Sequence, residues 1–176
     1  MLGDGKMIFS HTHHKNMNTS SSIIKSALDV LNTEISGIKL VKKTFDINFV
    51  ATIKELSKVK GRVIITGIGK SGHIANKIAS TMSSTGTPAQ FCHSNEMSHG
   101  DLGILSSKDI LIIISNSGNS SELKDAISFS KKNKIKTIGI SSNNKSELMQ
   151  SVHYPLLLPI AKKLVQLVKR QLPQQR

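Results

Sequence analysis

The chain has 176 residues, enough for one domain with a single substantial core, and carries a formal net charge of +13. That charge raises nucleic acid or an acidic membrane as a partner, but one Tyr and no Trp leave nothing to stack on single-stranded bases. The lysines are scattered as a general coding bias would scatter them, and the longest apolar run is far too short to cross a bilayer.

One cysteine, Cys92, excludes a disulfide framework and points to a reducing compartment. Residues 1–22 contain no signal-peptide h-region. A soluble, cytoplasmic protein is expected, with neither nucleic acid nor membrane as partner.

Residues 1–19 are polar and rich in His, Asn and Ser, and read as a disordered leader with Met7 and Met17 as alternative starts. His11, His13 and His14 are of the type that binds metal, but such clusters in leaders are commonly incidental, and no metal site is assigned. Ser20 to Ser22 can cap a helix on which Ile24, Leu28, Leu31, Ile35 and Ile38 recur at helical spacing. Asp46 can cap a second helix carrying Phe49, Ile53 and Leu56, stopped by Gly61. Both apolar faces read as core or as contacts between copies, so a homo-oligomer is expected.

From Gly61 the chain alternates strand and helix. Val63, Ile64 and Ile65 open a buried strand, broken by the run Gly67-Ile68-Gly69-Lys70-Ser71-Gly72, and a helix is predicted over His73 to Ser84. Strands follow at Ala89–Cys92, Ile110–Ser115, Thr137–Ser141 and Tyr154–Leu158, with helices at Ser120–Lys132 and near Ser146–Ser151. Such alternation argues for a parallel α/β sheet with helices on both faces, binding ligand at the carboxyl ends of its strands.

Both glycine-serine loops fall at those ends, where backbone N–H groups and a helix N-terminus favour an anion. Gly67, Gly69 and Gly72 satisfy G-x-G-x-x-G, yet no Asp or Glu lies between residues 62 and 95 to hold a ribose hydroxyl, so the NAD reading loses its second half. A Walker A loop would need glycine at position 64, which is Ile64. No cofactor is expected. In Ser115-x-Ser117-Gly118-x-Ser120-x-Glu122, hydroxyls and a glycine crowd a helix start, the chemistry of a phosphate cradle. A capping box of Asn119 and Glu122 is the competing reading, but it leaves Ser115 and Ser117 without a role.

These residues resemble the SIS (sugar isomerase) domain, through Gly67-x-Gly69-x-Ser71 and the serine loop. The likeness is closer to its D-arabinose 5-phosphate isomerase branch, through residues 67–73 (GIGKSGH), 84–88 (STGTP), 99–103 (HGDLG) and 115–118 (SNSG). The resemblance covers roughly residues 22–162. It implies a three-layer, five-stranded parallel sheet of flavodoxin- or Rossmann-like kind, preceded by two helices. It also implies interconversion of D-arabinose 5-phosphate and D-ribulose 5-phosphate, feeding 3-deoxy-D-manno-octulosonate for lipopolysaccharide. Lys70 and Glu122 carry over as active-site residues and His99 as a site residue, with helix capping as the alternative role of His99. Gly69, Ser71, Ser115, Ser117, Gly118 and Ser120 would bind the phosphate of a pentose. A non-catalytic sugar-phosphate sensor is the alternative, since SIS modules also serve regulators.

After the fifth strand the likeness stops. Lys163 stands where the family has a glutamate, and residues 163–176 form a basic tail without counterpart. The expectation is a domain at 20–162 cut short at its C-terminal side, with a sheet incompletely covered and catalysis weakened.

Overall fold

A computed structural model of the chain describes residues 20–98 and 100–160. The histidine-bearing leader, His99 and the basic tail with Lys163 lie outside the described residues. The chain divides into two compact units, residues 1–36 with 163–176, and residues 37–162. Within the first, the described part is helical. It belongs to α1 (Ser20–Val41), whose predicted stripe of Ile24, Leu28, Leu31, Ile35 and Ile38 is exposed along its length.

The second unit is built on five parallel strands: β1 (Val63–Gly67), β2 (Ala89–Phe91), β3 (Ile110–Ile114), β4 (Lys136–Ser141) and β5 (Tyr154–Leu157), in the order β2-β1-β3-β4-β5. β1 and β3 are buried at every position, as near-continuous apolar runs in a parallel sheet must be. Because side chains alternate across a strand, these runs supply two cores at once. Val63, Ile65, Ile110, Ile112, Ile114 and Ile138 pack with Ala75 and Ala79 of α3 (Lys70–Ser84) and with Leu56 of α2 (Ile47–Leu56). Ile64, Leu111 and Ile113 face the other way. They pack with Met97 of α4 (Ser94–Ser98), Leu123 and Ala126 of α5 (Glu122–Lys132), and Leu148 of α6 (Glu147–Ser151). The expected three layers are therefore present.

Asp46 caps α2 as predicted, accepting from the N–H groups of Asn48 (2.9 Å) and Phe49 (3.1 Å). The Tyr154 hydroxyl donates to Glu55 at 3.0 Å, tying β5 to α2. Element boundaries shift where glycines sit. β1 continues through Gly67, and α3 begins at Lys70 rather than His73, because Gly69 turns the chain with φ 55°. The first glycine loop thus shrinks to Ile68 and Gly69, and Lys70 and Ser71 join the first helical turn. The fifth strand ends at Leu157, and α5 begins at Glu122 rather than Ser120.

At the amino end of the sheet, Asp109 is buried and braces β3 against β1. It accepts from Arg62 N–H (2.6 Å), Ser106 N–H (2.8 Å) and the Ser106 hydroxyl (2.8 Å). Burial pushes this carboxyl up, but the two N–H donors, the hydroxyl and the Arg62 charge together hold it below its ordinary value. A depressed folded pKa contributes stability that is present above the unfolded value and lost as pH falls through the folded one. Asp109→Asn, which sets a side chain with only one acceptor against three donors, should cost about 2 kcal/mol at neutral pH. Urea denaturation of the two proteins should show that gap closing as pH drops below the folded pKa of Asp109. A gap independent of pH would contradict the assignment.

Candidate functional site

β1 and β3 are adjacent and in register to their ends, Gly67 opposite Ile114. β1 hands the chain to α3 on one face of the sheet, and β3 hands it to α5 on the other. Helices leaving neighbouring strand ends in opposite directions open a crevice between them, where α/β sheets bind ligand. Both predicted loops flank it.

Glycine is required on the first side by contact. A Cβ on Gly67 would lie 2.9 Å from the Ile114 carbonyl oxygen and 3.0 Å from the Ser71 backbone, and one on Gly72 would lie 2.8 Å from the Gly67 carbonyl oxygen. The start of α3 therefore rests directly on the end of β1. Buried Ser94 closes the back of this loop, its hydroxyl donating to the Gly67 carbonyl at 3.4 Å. The N–H groups of Gly69 and Lys70 have no hydrogen-bond partner among the described residues. Lys70 is exposed and forms no ion pair with any described residue, and Ser71 is half-buried.

On the second side, the buried Ser115 hydroxyl accepts from Gly118 N–H at 3.1 Å, closing the turn in which Gly118 adopts φ 69°. A hydroxyl that accepts once keeps its own proton to donate. Ser117 is exposed, its hydroxyl accepting from Asn119 N–H at 3.5 Å, and Ser120 is half-buried. Among the described residues the N–H groups of Ser117, Ser120 and Ser121 are unpartnered. Hydroxyls and open N–H groups at the start of an eleven-residue helix are groups that can donate to an anion.

The capping box does not form. Asn119 Oδ1 accepts from Glu147 N–H (2.9 Å), at α6, and α5 starts after Ser121 without a side-chain cap. Glu122 is exposed and accepts from the Ser121 hydroxyl at 3.1 Å. Gly69, Ser115, Ser117, Gly118 and Ser120 stand on the two loops at the crevice, and Lys70, Ser71 and Glu122 in the first turns of the helices that leave them. His99 lies outside the described residues. Buried Cys92, the residue after β2, has its thiol pushed up to about 11 by burial and then by Asp101, whose carboxylate is 3.7 Å away. Among the described residues no cluster of His, Cys, Asp or Glu is arranged to hold a metal, and no helix is long and apolar enough to cross a membrane.

What sequence reasoning missed is the wall behind the serine loop. Ser141, which ends β4, and Ser142, Asn143 and Ser146 after it hydrogen-bond to that loop or pack against it. The polar run Ser141–Asn144 signals a loop, but nothing local shows what it closes on.

A family profile described as the SIS domain matches residues 55–170. Arabinose 5-phosphate isomerase KdsD of Francisella tularensis is 43% identical over 145 residues, covering 81% of this chain and 44% of that protein. The chain thus spans less than half the length of the curated relatives it matches. An Escherichia coli CFT073 protein solved in complex with arabinose 5-phosphate is 34% identical with a TM-score of 0.73, the match covering 84% of this chain and 78% of that one. A Listeria monocytogenes protein assigned provisionally as a sugar-phosphate isomerase superposes with a TM-score of 0.78 at 25% identity, covering 83% and 77%.

The two loop glycines with positive φ should respond differently to alanine. At Gly69 an added Cβ meets nothing within 4 Å and adds backbone strain alone. At Gly118 it would also lie 2.2 Å from Ser146 Oγ and 2.5 Å from Ser146 Cβ. Gly118→Ala should therefore lose about 1–3 kcal/mol more stability than Gly69→Ala in chemical denaturation. Equal losses would show that Ser146 yields freely.

Proposed function

The chain belongs to the SIS domain family, and on that premise we propose that it interconverts D-arabinose 5-phosphate and D-ribulose 5-phosphate. The observation that carries the reading is the pair of loops at the β1/β3 crevice, with unpartnered N–H groups and three serine hydroxyls beside Gly118. Such a cradle fits a phosphate monoester, and the relatives named for arabinose 5-phosphate supply the pentose.

The carbonyl moves from C1 to C2. A base takes the C2 proton, the C–H electron pair forms the C1–C2 double bond, and the carbonyl oxygen takes the charge as an enediolate. The proton then returns to C1, while the C2 hydroxyl gives up its proton to become the ketone. In this reading Glu122 is the base, Lys70 faces the oxyanion, and His99 relays protons near neutral pH. Glu122 needs cover for this task, from bound sugar or from chain beyond the described residues. The phosphate is held by Ser71, Ser115, Ser117, Ser120 and the open N–H groups of Gly69 and Ser117, around the turn at Gly118. The interconversion would feed 3-deoxy-D-manno-octulosonate for lipopolysaccharide, in the cytoplasm. The exposed apolar stripe of α1, about 21 Å from Ile24 to Ile38 at 1.5 Å per residue, fits an interface between copies of the chain.

A sugar-phosphate sensor without turnover is favoured by one observation: the cradle is complete without acid–base chemistry, and Glu122 is exposed. Calorimetry with arabinose 5-phosphate beside a turnover assay separates the two. Binding with ribulose 5-phosphate formation supports the isomerase, and binding without it supports the sensor.

Ser117→Ala should weaken arabinose 5-phosphate by about 1.5–3 kcal/mol, the worth of a hydrogen bond to a charged group, and leave unphosphorylated arabinose unmoved. Equal weakening of both sugars would remove the phosphate assignment. Arabinose 5-phosphate should also raise the melting temperature, since a ligand that prefers the folded state stabilises it, whereas NAD and ATP should not. A clear shift with NAD would restore the dinucleotide reading.

A further inference from the structure

Four consecutive residues of the serine loop give their acceptors to the chain after β4. The Asn116 carbonyl accepts from Ser142 N–H (3.3 Å), the Ser141 hydroxyl (3.1 Å) and the Ser142 hydroxyl (2.9 Å). The Ser117 carbonyl accepts from Asn143 Nδ2 (3.3 Å), the Gly118 carbonyl from Leu148 N–H (3.0 Å), and Asn119 Oδ1 from Glu147 N–H (2.9 Å). In a planar trans peptide the carbonyl of one residue and the N–H of the next point in opposite directions. Tying a carbonyl back therefore fixes where the following N–H points. The anchored Asn116 carbonyl turns Ser117 N–H away from the β4–α6 segment, and this N–H is unpartnered among the described residues. The anchored Ser117 carbonyl turns Gly118 N–H onto Ser115.

Asn143 is the only side chain among the described residues that holds the Ser117 carbonyl. Its own orientation is set independently, because its Oδ1 accepts from Lys145 N–H at 3.1 Å, leaving Nδ2 to donate to Ser117. Its backbone is held too: its N–H donates to Ser141 Oγ (3.1 Å) and its carbonyl accepts from the Ser146 hydroxyl (2.7 Å).

We propose that Asn143 is a positioning residue for phosphate binding, acting through the Ser117 carbonyl to hold the Ser117–Gly118 peptide in the orientation that presents the serine loop to an anion. The proposal rests on the phosphosugar reading above and adds to it a residue from a different strand end that never touches the sugar.

The test is calorimetry on the full 176-residue chain with inorganic phosphate, arabinose 5-phosphate and unphosphorylated arabinose, with melting temperature as the folding control. Asn143→Ser is the first variant. It stays uncharged and keeps an oxygen able to accept from Lys145 N–H, but is too short to reach Ser117. It should weaken phosphate and arabinose 5-phosphate by a common factor of about three to ten, leaving arabinose and the melting temperature unchanged. Asn143→Ala, which removes the Nδ2 donor to Ser117 together with the rest of the amide, should show the same selectivity, and decides the matter should Asn143→Ser not fold. Affinities equal to those of the unaltered chain in both variants overturn the positioning role and leave the phosphosugar reading standing. Equal weakening of arabinose also overturns it. An unaltered chain that binds neither phosphate nor arabinose 5-phosphate removes the phosphosugar reading and this inference together.

Discussion

The close approach of α3 to the end of β1 is the constraint on which the rest of the second unit depends. It places the Gly67 carbonyl under Gly72, and leaves no room for a Cβ on Gly67 beside the Ile114 carbonyl and Ser71. No residue with a side chain fits at Gly67 or Gly72 without moving backbone. From that contact follow the two-residue loop at Ile68–Gly69, the entry of Lys70 and Ser71 into the first helical turn, and the register of a helix whose Ala75 and Ala79 lie flat on the sheet. Small residues inside the interface and glycines at its rim are two expressions of one short distance.

The opposite wall is built differently. Around Gly118 the backbone is shaped by hydroxyl and amide side chains on both sequence segments, with Ser115 holding the turn from within and the β4–α6 segment holding it from behind. Hydrogen bonds among neutral groups are individually modest, about 1 kcal/mol each, so the shape depends on their number rather than on any one of them. One side of the crevice is set by steric exclusion and the other by a network. The steric side has no room for a side chain at Gly67 or Gly72, and the network side degrades by steps.

Much of the architecture was legible in the residues. Val63–Ile65 and Ile110–Ile114 are unbroken β-branched and leucine runs too short for helices, and their spacing with amphipathic stretches permits little besides a parallel sheet. Asp46 announces its helix because capping is local. The loop at Ser115–Glu122 reads as more than a cap because a capping box leaves Ser115 and Ser117 without a role. Where local pattern and structure part, the deciding contact is remote in sequence. Asn119 and Glu122 match a capping box by spacing, but Asn119 is drawn off by Glu147, 28 residues on. The break at Gly67 read as loop because glycine ends strands on average, whereas here pairing with Ile114 keeps it in one. Asn143 carried no local signal, since its partner is 26 residues earlier.

Proline at position 155 has a consequence for the outer rim of the sheet. Leu158 N–H donates to the Ser141 carbonyl at 2.8 Å, so by the two-residue alternation Leu156 faces β4 and Pro155 faces outward. The ring therefore removes no bond from the sheet; it deletes a donor from the bare flank of a four-residue strand that pairs with β4 alone among the described strands. A foreign strand arriving at that flank meets an interrupted row of donors, on a segment too short to offer many more. The same residue that costs the native ladder nothing makes β5 a poor template for edge-to-edge aggregation, which gives a chain rich in buried isoleucine a measure of protection against amyloid-like growth from this side.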